Sequence, residues 1–84
     1  MEQLFKLDQE MFEKYLPGKT IKASFKTPIK NVRAYTTTDS HAILIATKAQ
    51  KSRVASVMAL VATSKGWNFS LHNEGSHIIC LLSP

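Results

Sequence analysis

The stretch that decides the fold is residues 41–65, HAILIATKAQKSRVASVMALVATSK, an apolar run followed by a segment with helical spacing. Residues 42–46 are apolar at every position, which is typical of a central strand with neighbours on both sides or cover on both faces. Thr47 and Gln50 have the spacing of a capping box, so we expect a helix to begin there. Gly66 is expected to end it. The predicted apolar stripe of this helix comprises Val54, Val57, Met58, Val61 and Ala62.

The segments on either side add four strands and one helix. Residues 20–27 and 31–38 alternate between apolar and polar positions, as a half-buried strand does, and residues 67–72 alternate again. A loop at residues 73–76 then leads into the apolar run 77–82. Near the start, Asp8 is positioned to cap a helix that Pro17-Gly18 stops. The apolar positions of that first helix are Leu7, Met11, Phe12, Tyr15 and Leu16.

This order, α-β-β-β-α-β-β, predicts a single compact α+β domain spanning residues 1–84. Each helix has one apolar stripe and three strands have one apolar face. We therefore expect a two-layer sandwich, with both helices packed on one face of a five-stranded, mainly antiparallel sheet. The other face of the sheet would be wholly or partly open to solvent.

Composition narrows the function classes. The chain has 84 residues, which is enough for one modest core but too short for a cofactor domain beside a substrate domain. We therefore expect no cofactor. One cysteine, Cys80, and scattered histidines do not form a metal-binding pattern, so no metal is expected. The sequence contains no long apolar segment and no signal peptide, so we expect a cytoplasmic protein that does not bind membranes.

The net charge of +5 is unevenly distributed. Residues 1–13 hold four acids, including Glu2, against one lysine. Residues 14–65 hold ten Lys or Arg against Asp39 alone. A block with this imbalance attracts anionic partners, most often nucleic acid or an acidic protein surface.

Two groups of residues are candidate binding sites for such a partner. The first is the polar face of the two alternating strands, where cations can meet phosphates while an aromatic ring stacks on an unpaired base. Its candidate residues are Lys22, Lys26, Arg33 and Tyr35, beside Ser24 and Thr37.

The second group lies at the start of the second predicted helix. Lys48, Lys51 and Arg53 stand near the positive end of the helix dipole, where each cation costs roughly 0.3 to 1 kcal/mol. A phosphate held by these three side chains and by the free amides of Lys48 and Ala49 would offset that cost. This hypothesis explains why the sequence places cations there.

A ribonuclease is a third possibility. His72 and His77 flank the loop at residues 73–76, and histidine exchanges protons near neutral pH. The segments KGWNF, at 65–69, and GSHII, at 75–79, resemble the helix end, Gly-aromatic strand and Gly-Ser-His turn of the HicA family of small messenger-RNA-cleaving toxins. By this resemblance, His77 would take part in cleavage.

The favoured hypothesis is a small, basic, non-enzymatic protein that binds nucleic acid. RNA or a single strand is preferred over duplex DNA, because no helix-turn-helix, zinc finger or basic zipper is visible. Such a domain could serve as a regulator or inhibitor of the kind that viruses and mobile elements encode. An interaction module that docks on an acidic protein is the alternative. The chain could act as a monomer or pair through a strand edge as a homodimer.

Overall fold

A computed structural model describes residues 5–84; Glu2, counted in the acidic N-terminal block, lies outside them. Helix α1 spans Lys6–Tyr15, and α2 spans Lys51–Lys65 after a short 3-10 turn at Lys48–Gln50. The five strands are β1 (Ile21–Phe25), β2 (Arg33–Thr37), β3 (Ala42–Thr47), β4 (Asn68–Glu74) and β5 (His77–Ser83). The predicted order of elements is confirmed.

The strands form one sheet in the order β1-β2-β3-β5-β4, and every neighbouring pair is antiparallel. The apolar run predicted to be central is β3, the middle strand of the sheet, and the second apolar run, β5, lies beside it. Strands β1 and β4 are the two edges of the sheet. The predicted α+β class and five-stranded antiparallel sheet are therefore confirmed.

The placement of both helices on one face is wrong, because the two helices cover opposite faces. On β3, Leu44 packs in the cluster that contains Val54 and Met58 of α2. The neighbouring Ile43 packs in a second cluster with Phe12 of α1. Since successive strand residues point to opposite faces, the sheet is a middle layer between the helices. The unbroken apolarity of β3 follows from this double cover. We call the two sides the α1 face and the α2 face.

Two local predictions about α1 and β1 also need correction. Asp8 does not cap α1, because the N-cap residue is Phe5 and the Asp8 side chain is fully buried. In β1, the strict alternation from Ile21 to Phe25 is interrupted by a register shift between Ile21 and Ala23. Ile21 consequently packs on the α1 face, while Phe25 pairs with Ala34, which belongs to the α2-face core.

The end of α2 is as predicted. Gly66 is the C-cap residue with a left-handed φ of 68°, and the Trp67 amide donates to the Ala62 carbonyl at 2.8 Å. This arrangement stops the helix and turns the chain so that Trp67 packs against the α2-face core. The loop between β4 and β5 is shorter than predicted, because β4 continues to Glu74 and only Gly75 and Ser76 connect the strands.

Candidate nucleic-acid interface

The charges of the described chain are divided between the two faces of the sheet. Asp8, Glu10 and Glu13 all lie on α1. Asp39 binds Lys19, just beyond the end of α1, and Glu74 binds Lys14 and Tyr15 of α1. Residues 40–73, which include all of α2, contain no acidic residue. The acidic groups are therefore associated with α1, and α2 faces solvent without any negative charge.

The cations show the same division. On the α1 face, Lys14, Lys19 and Arg33 each form an ion pair with a carboxylate. Eight exposed cations form no ion pair within residues 5–84; Lys6 on α1 and Lys22 on the edge strand β1 lie apart, and the other six form a second group. It lies on α2, at its start, and in the loop from Lys26 to Lys30. Its members are Lys26, Lys30, Lys48, Lys51, Arg53 and Lys65, which we call the basic surface.

The loop and the start of α2 are joined by a hydrogen bond. The Gln50 side-chain nitrogen donates to the Lys30 carbonyl at 2.6 Å. The same side chain accepts the Thr47 amide at 3.0 Å, which is one half of the predicted capping box. Gln50 thus holds the loop against the 3-10 turn, so Lys30 is placed beside the cations that begin α2.

The proposed phosphate cradle at the start of α2 is only partly present. The Lys48 amide is not free, because it donates to the Ser76 carbonyl at 3.1 Å. The side chains of Lys48, Lys51 and Arg53 are all exposed, as the sequence analysis required. The three cations can therefore contact a phosphate through their side chains, but the backbone pocket that included the Lys48 amide is not formed.

The predicted binding face on the first two strands is not an open surface. Tyr35 is only 6% exposed, and its hydroxyl donates to Asp8 at 2.6 Å. Arg33 donates to the same carboxylate through Nε and Nη2, both at 2.7 Å, and this contact raises the pKa of Arg33. The Phe5 ring lies 5.0 Å from the guanidinium. Because α1 covers this face, Tyr35 has no surface on which a base could stack.

The two remaining residues of that group, Lys22 and Lys26, are both exposed. Lys22 lies at the register shift of β1, on the outer edge of the sheet. Lys26 lines a groove on the α2 face. Of the four residues predicted to form one site, Arg33 and Tyr35 are therefore bonded to the buried Asp8 carboxylate, and Lys22 and Lys26 lie at two separate exposed positions.

The groove is the feature that the sequence analysis missed. It has a volume of about 270 Å³ and lies between the C-terminal half of α2 and the β1–β2 hairpin. Its apolar lining includes Phe25, which is 37% exposed, and Trp67. Lys26 and Lys65 are at its rim, and the Lys65 ammonium lies 5.7 Å from the centre of the Trp67 ring. The usable sequence signal is a lysine close to each ring, Lys26 directly after Phe25 and Lys65 two residues before Trp67.

His72 and His77 point to the α1 face, but His77 adjoins one end of the basic surface, because it follows Ser76, whose carbonyl accepts the Lys48 amide. His77 pairs with Thr47 and Glu74 at a β5 position that points to the α1 face, and His72 occupies an α1-face position on β4. Each histidine contacts a serine hydroxyl, His77 with Ser76 at 3.2 Å and His72 with Ser70 at 3.0 Å. The His72 ring also stacks on Tyr15, with 4.8 Å between ring centres. A phosphodiester bound along α2 would therefore be on the opposite face of the sheet from these side chains.

Comparisons with protein families, with curated proteins and with solved structures each found no significant match. Neither helix in residues 5–84 has the length and apolarity to cross a membrane. In the same part of the chain, no three His, Cys, Asp or Glu side chains are grouped as a metal site would require. The charge distribution and the groove are therefore the features from which a function can be inferred.

Proposed function

We propose that this protein binds single-stranded nucleic acid, with RNA preferred over duplex DNA, and that it does so without cleaving it. The observation that carries the proposal is the basic surface, six exposed cations on a part of the molecule that has no acidic residue. Such a surface binds phosphates mainly by releasing their counterions, and this needs no geometry specific to one sequence. The protein would act as a regulator or inhibitor by occupying its RNA.

The groove supports a preference for single strands. Phe25 and Trp67 offer aromatic surface in an apolar recess, and Lys26 and Lys65 stand where the flanking phosphates would pass. Stacking of an unpaired base on an aromatic ring is worth about 1 to 3 kcal/mol. A duplex keeps its bases inside the helix, so it could use the cations but not the groove.

The test is a binding titration with a fluorescently labelled single-stranded RNA of mixed sequence and with a duplex DNA, each at two salt concentrations. The triple variant Lys48→Ala/Lys51→Ala/Arg53→Ala should bind RNA more weakly. Its salt slope should be shallower by about 2, since each phosphate contact to a single strand contributes roughly 0.7. The control triple variant Lys6→Ala/Lys14→Ala/Lys19→Ala removes the same charge from α1 and its C-terminal loop, and it should retain wild-type affinity.

The same titration can reject the proposal. Absence of RNA binding at low salt would exclude it, and so would an equal loss of affinity in the two triple variants, which would show only an effect of net charge. The RNA should remain intact on a gel after incubation. Cleavage that His77→Ala abolishes would instead favour the ribonuclease hypothesis.

An acidic protein is the second candidate partner, and one observation favours it. Leu60 on α2 is 73% exposed, and helical spacing places it beside Val57 on the same side of the helix. A large aliphatic side chain exposed on the same helix as unpaired cations suits a protein interface better than a nucleic acid. Leu60→Ala should leave RNA affinity unchanged. A loss of RNA binding in this variant would contradict the division of roles between Leu60 and the cations.

A further inference from the structure

The two edges of the sheet differ in how well they are protected against pairing with another strand. Edge strands usually carry lysines, prolines or bulges that prevent such pairing. Strand β1 has five residues, a register shift at Lys22, and Lys26 directly after it. It is therefore a protected edge.

Strand β4 has none of these features. It has seven residues, NFSLHNE, without Lys, Arg or Pro, and all seven pair with β5 in one unbroken register. No strand within residues 5–84 pairs with its outer side, and Phe69 on it is 37% exposed. A long, regular edge of this kind, whose one charged residue is Glu74 at its end, is suited to adding another strand.

The sequence of β4 is complementary to itself in the antiparallel direction. With a two-fold axis through Leu71, all seven residues of β4 pair with the second copy. An axis through Ser70 or His72 would leave two of them unpaired. With the axis through Leu71, Ser70 faces His72 of the second copy and Asn68 faces Glu74, so no like charges are opposed. The apolar side chains of Phe69 and Leu71, which point to the α2 face, would join those of the second copy in one strip between the two α2 helices.

We propose that the occupant of this edge is a second copy of the same chain, giving a symmetric homodimer with a continuous ten-stranded sheet centred on Leu71. The interface is isologous, because each copy contributes the same strand. The two-fold axis is perpendicular to the sheet, so the α2 faces of both copies lie on the same side. This proposal does not depend on the proposed nucleic-acid binding.

Sedimentation velocity over a roughly hundredfold dilution series measures the dimer, because its population depends on protomer concentration. Wild-type protein should reach twice the 9.4 kDa mass of the chain. Ser70→Lys adds an edge lysine at an exposed position and should be monomeric with unchanged circular dichroism. The matched variant Ala23→Lys, on the β1 edge, should remain dimeric. A mixture of Ser70→Lys and Ser70→Glu should recover the dimer, since the two side chains lie diagonally across the axis.

The register is tested by cross-linking. Leu71→Cys places a thiol opposite its own symmetry mate and should form a disulfide-linked dimer under mild oxidation. Phe69→Cys places its thiol opposite Asn73 and should not. A monomer throughout the dilution series would overturn the proposal. A dimer that survives Ser70→Lys, or that is lost in Ala23→Lys instead, would overturn the assignment to β4.

Discussion

The buried carboxylate of Asp8 should be the most important polar group for the stability of this fold. It has no exposed surface, and it accepts three hydrogen bonds, two from Arg33 and one from the Tyr35 hydroxyl. These bonds connect α1 to β2 and fix how the helix covers the sheet. Replacement by alanine removes the acceptor of all three at once.

The loss in the free energy of unfolding caused by Asp8→Ala can be estimated from these contacts. Breaking a buried ion pair by removing one partner costs roughly 3 to 5 kcal/mol. The Arg33 side chain is 37% exposed, so water can rehydrate part of the guanidinium and the cost falls towards the lower end. The Tyr35 hydroxyl stays buried, and an unsatisfied buried donor costs about 1 to 3 kcal/mol. We expect a loss of about 3 kcal/mol, a large part of the roughly 5 to 15 kcal/mol that stabilises a typical domain.

Urea unfolding followed by the fluorescence of Trp67 measures this loss. The unfolding midpoint should fall while the slope with urea is unchanged, since the compactness of the states is not altered. Glu10→Ala, an exposed change on the same helix, should stay within about 0.5 kcal/mol of wild type. A double-mutant cycle with Arg33→Ala should give a coupling energy within the usual range of about 0.5 to 3 kcal/mol for residues in contact. A loss below about 1 kcal/mol for Asp8→Ala would refute the reasoning, because it would mean that the buried contacts contribute little.

Two further predictions follow from ionisable groups. Burial raises the pKa of Cys80 to about 12 from its ordinary 9.0, so iodoacetamide should label this thiol only in urea; rapid labelling of the native protein would contradict the packing of β5. The hydrogen bond from Lys14 lowers the pKa of Glu74 below its ordinary 4.5, with a second contribution from Tyr15. The Glu74 carboxylate therefore stabilises the fold above that pH, and its contribution is lost as pH falls through the lower folded value. Glu74→Gln should show a shallower decline of the urea midpoint with acid, and an unchanged decline would exclude this pair as a contributor.

The sequence was sufficient to predict the strands and helices, because hydrophobic periodicity and turn residues are local signals. It was also sufficient to identify residues 42–46 as a central strand, since they are apolar at every position. Cover on both faces was one of the two explanations that this pattern allowed, and it is the one that requires a helix on each face. The error came from β1 and β2, whose alternation was interpreted as an open face, although α1 covers that face at Arg33 and Tyr35.

The candidate site was harder to predict. The wrong predictions concern residues whose contacts are with residues far away in the chain. Asp8 lies 25 residues before Arg33 in the chain, and no local pattern indicates that the two side chains meet. The Lys48 amide is satisfied by the Ser76 carbonyl, which belongs to a turn 28 residues further on. The exposure of Lys48, Lys51 and Arg53 was predictable, since their positions lie outside the apolar stripe of α2.

The composition of α2 makes it the most unusual element of the fold. Because residues 40–73 contain no acidic residue, α2 has no internal ion pair to support it, and the cations at its start oppose the helix dipole. Its stability must therefore come from packing of Val54, Met58 and Ala62 against the sheet. Elsewhere the protein does neutralise its cations, at Lys14, Lys19 and Arg33, using acids on the α1 side. A helix whose charges are all positive and unpaired breaks a local rule without an internal compensation, and such departures are expected at functional sites. An anionic ligand bound along α2 would supply the missing compensation.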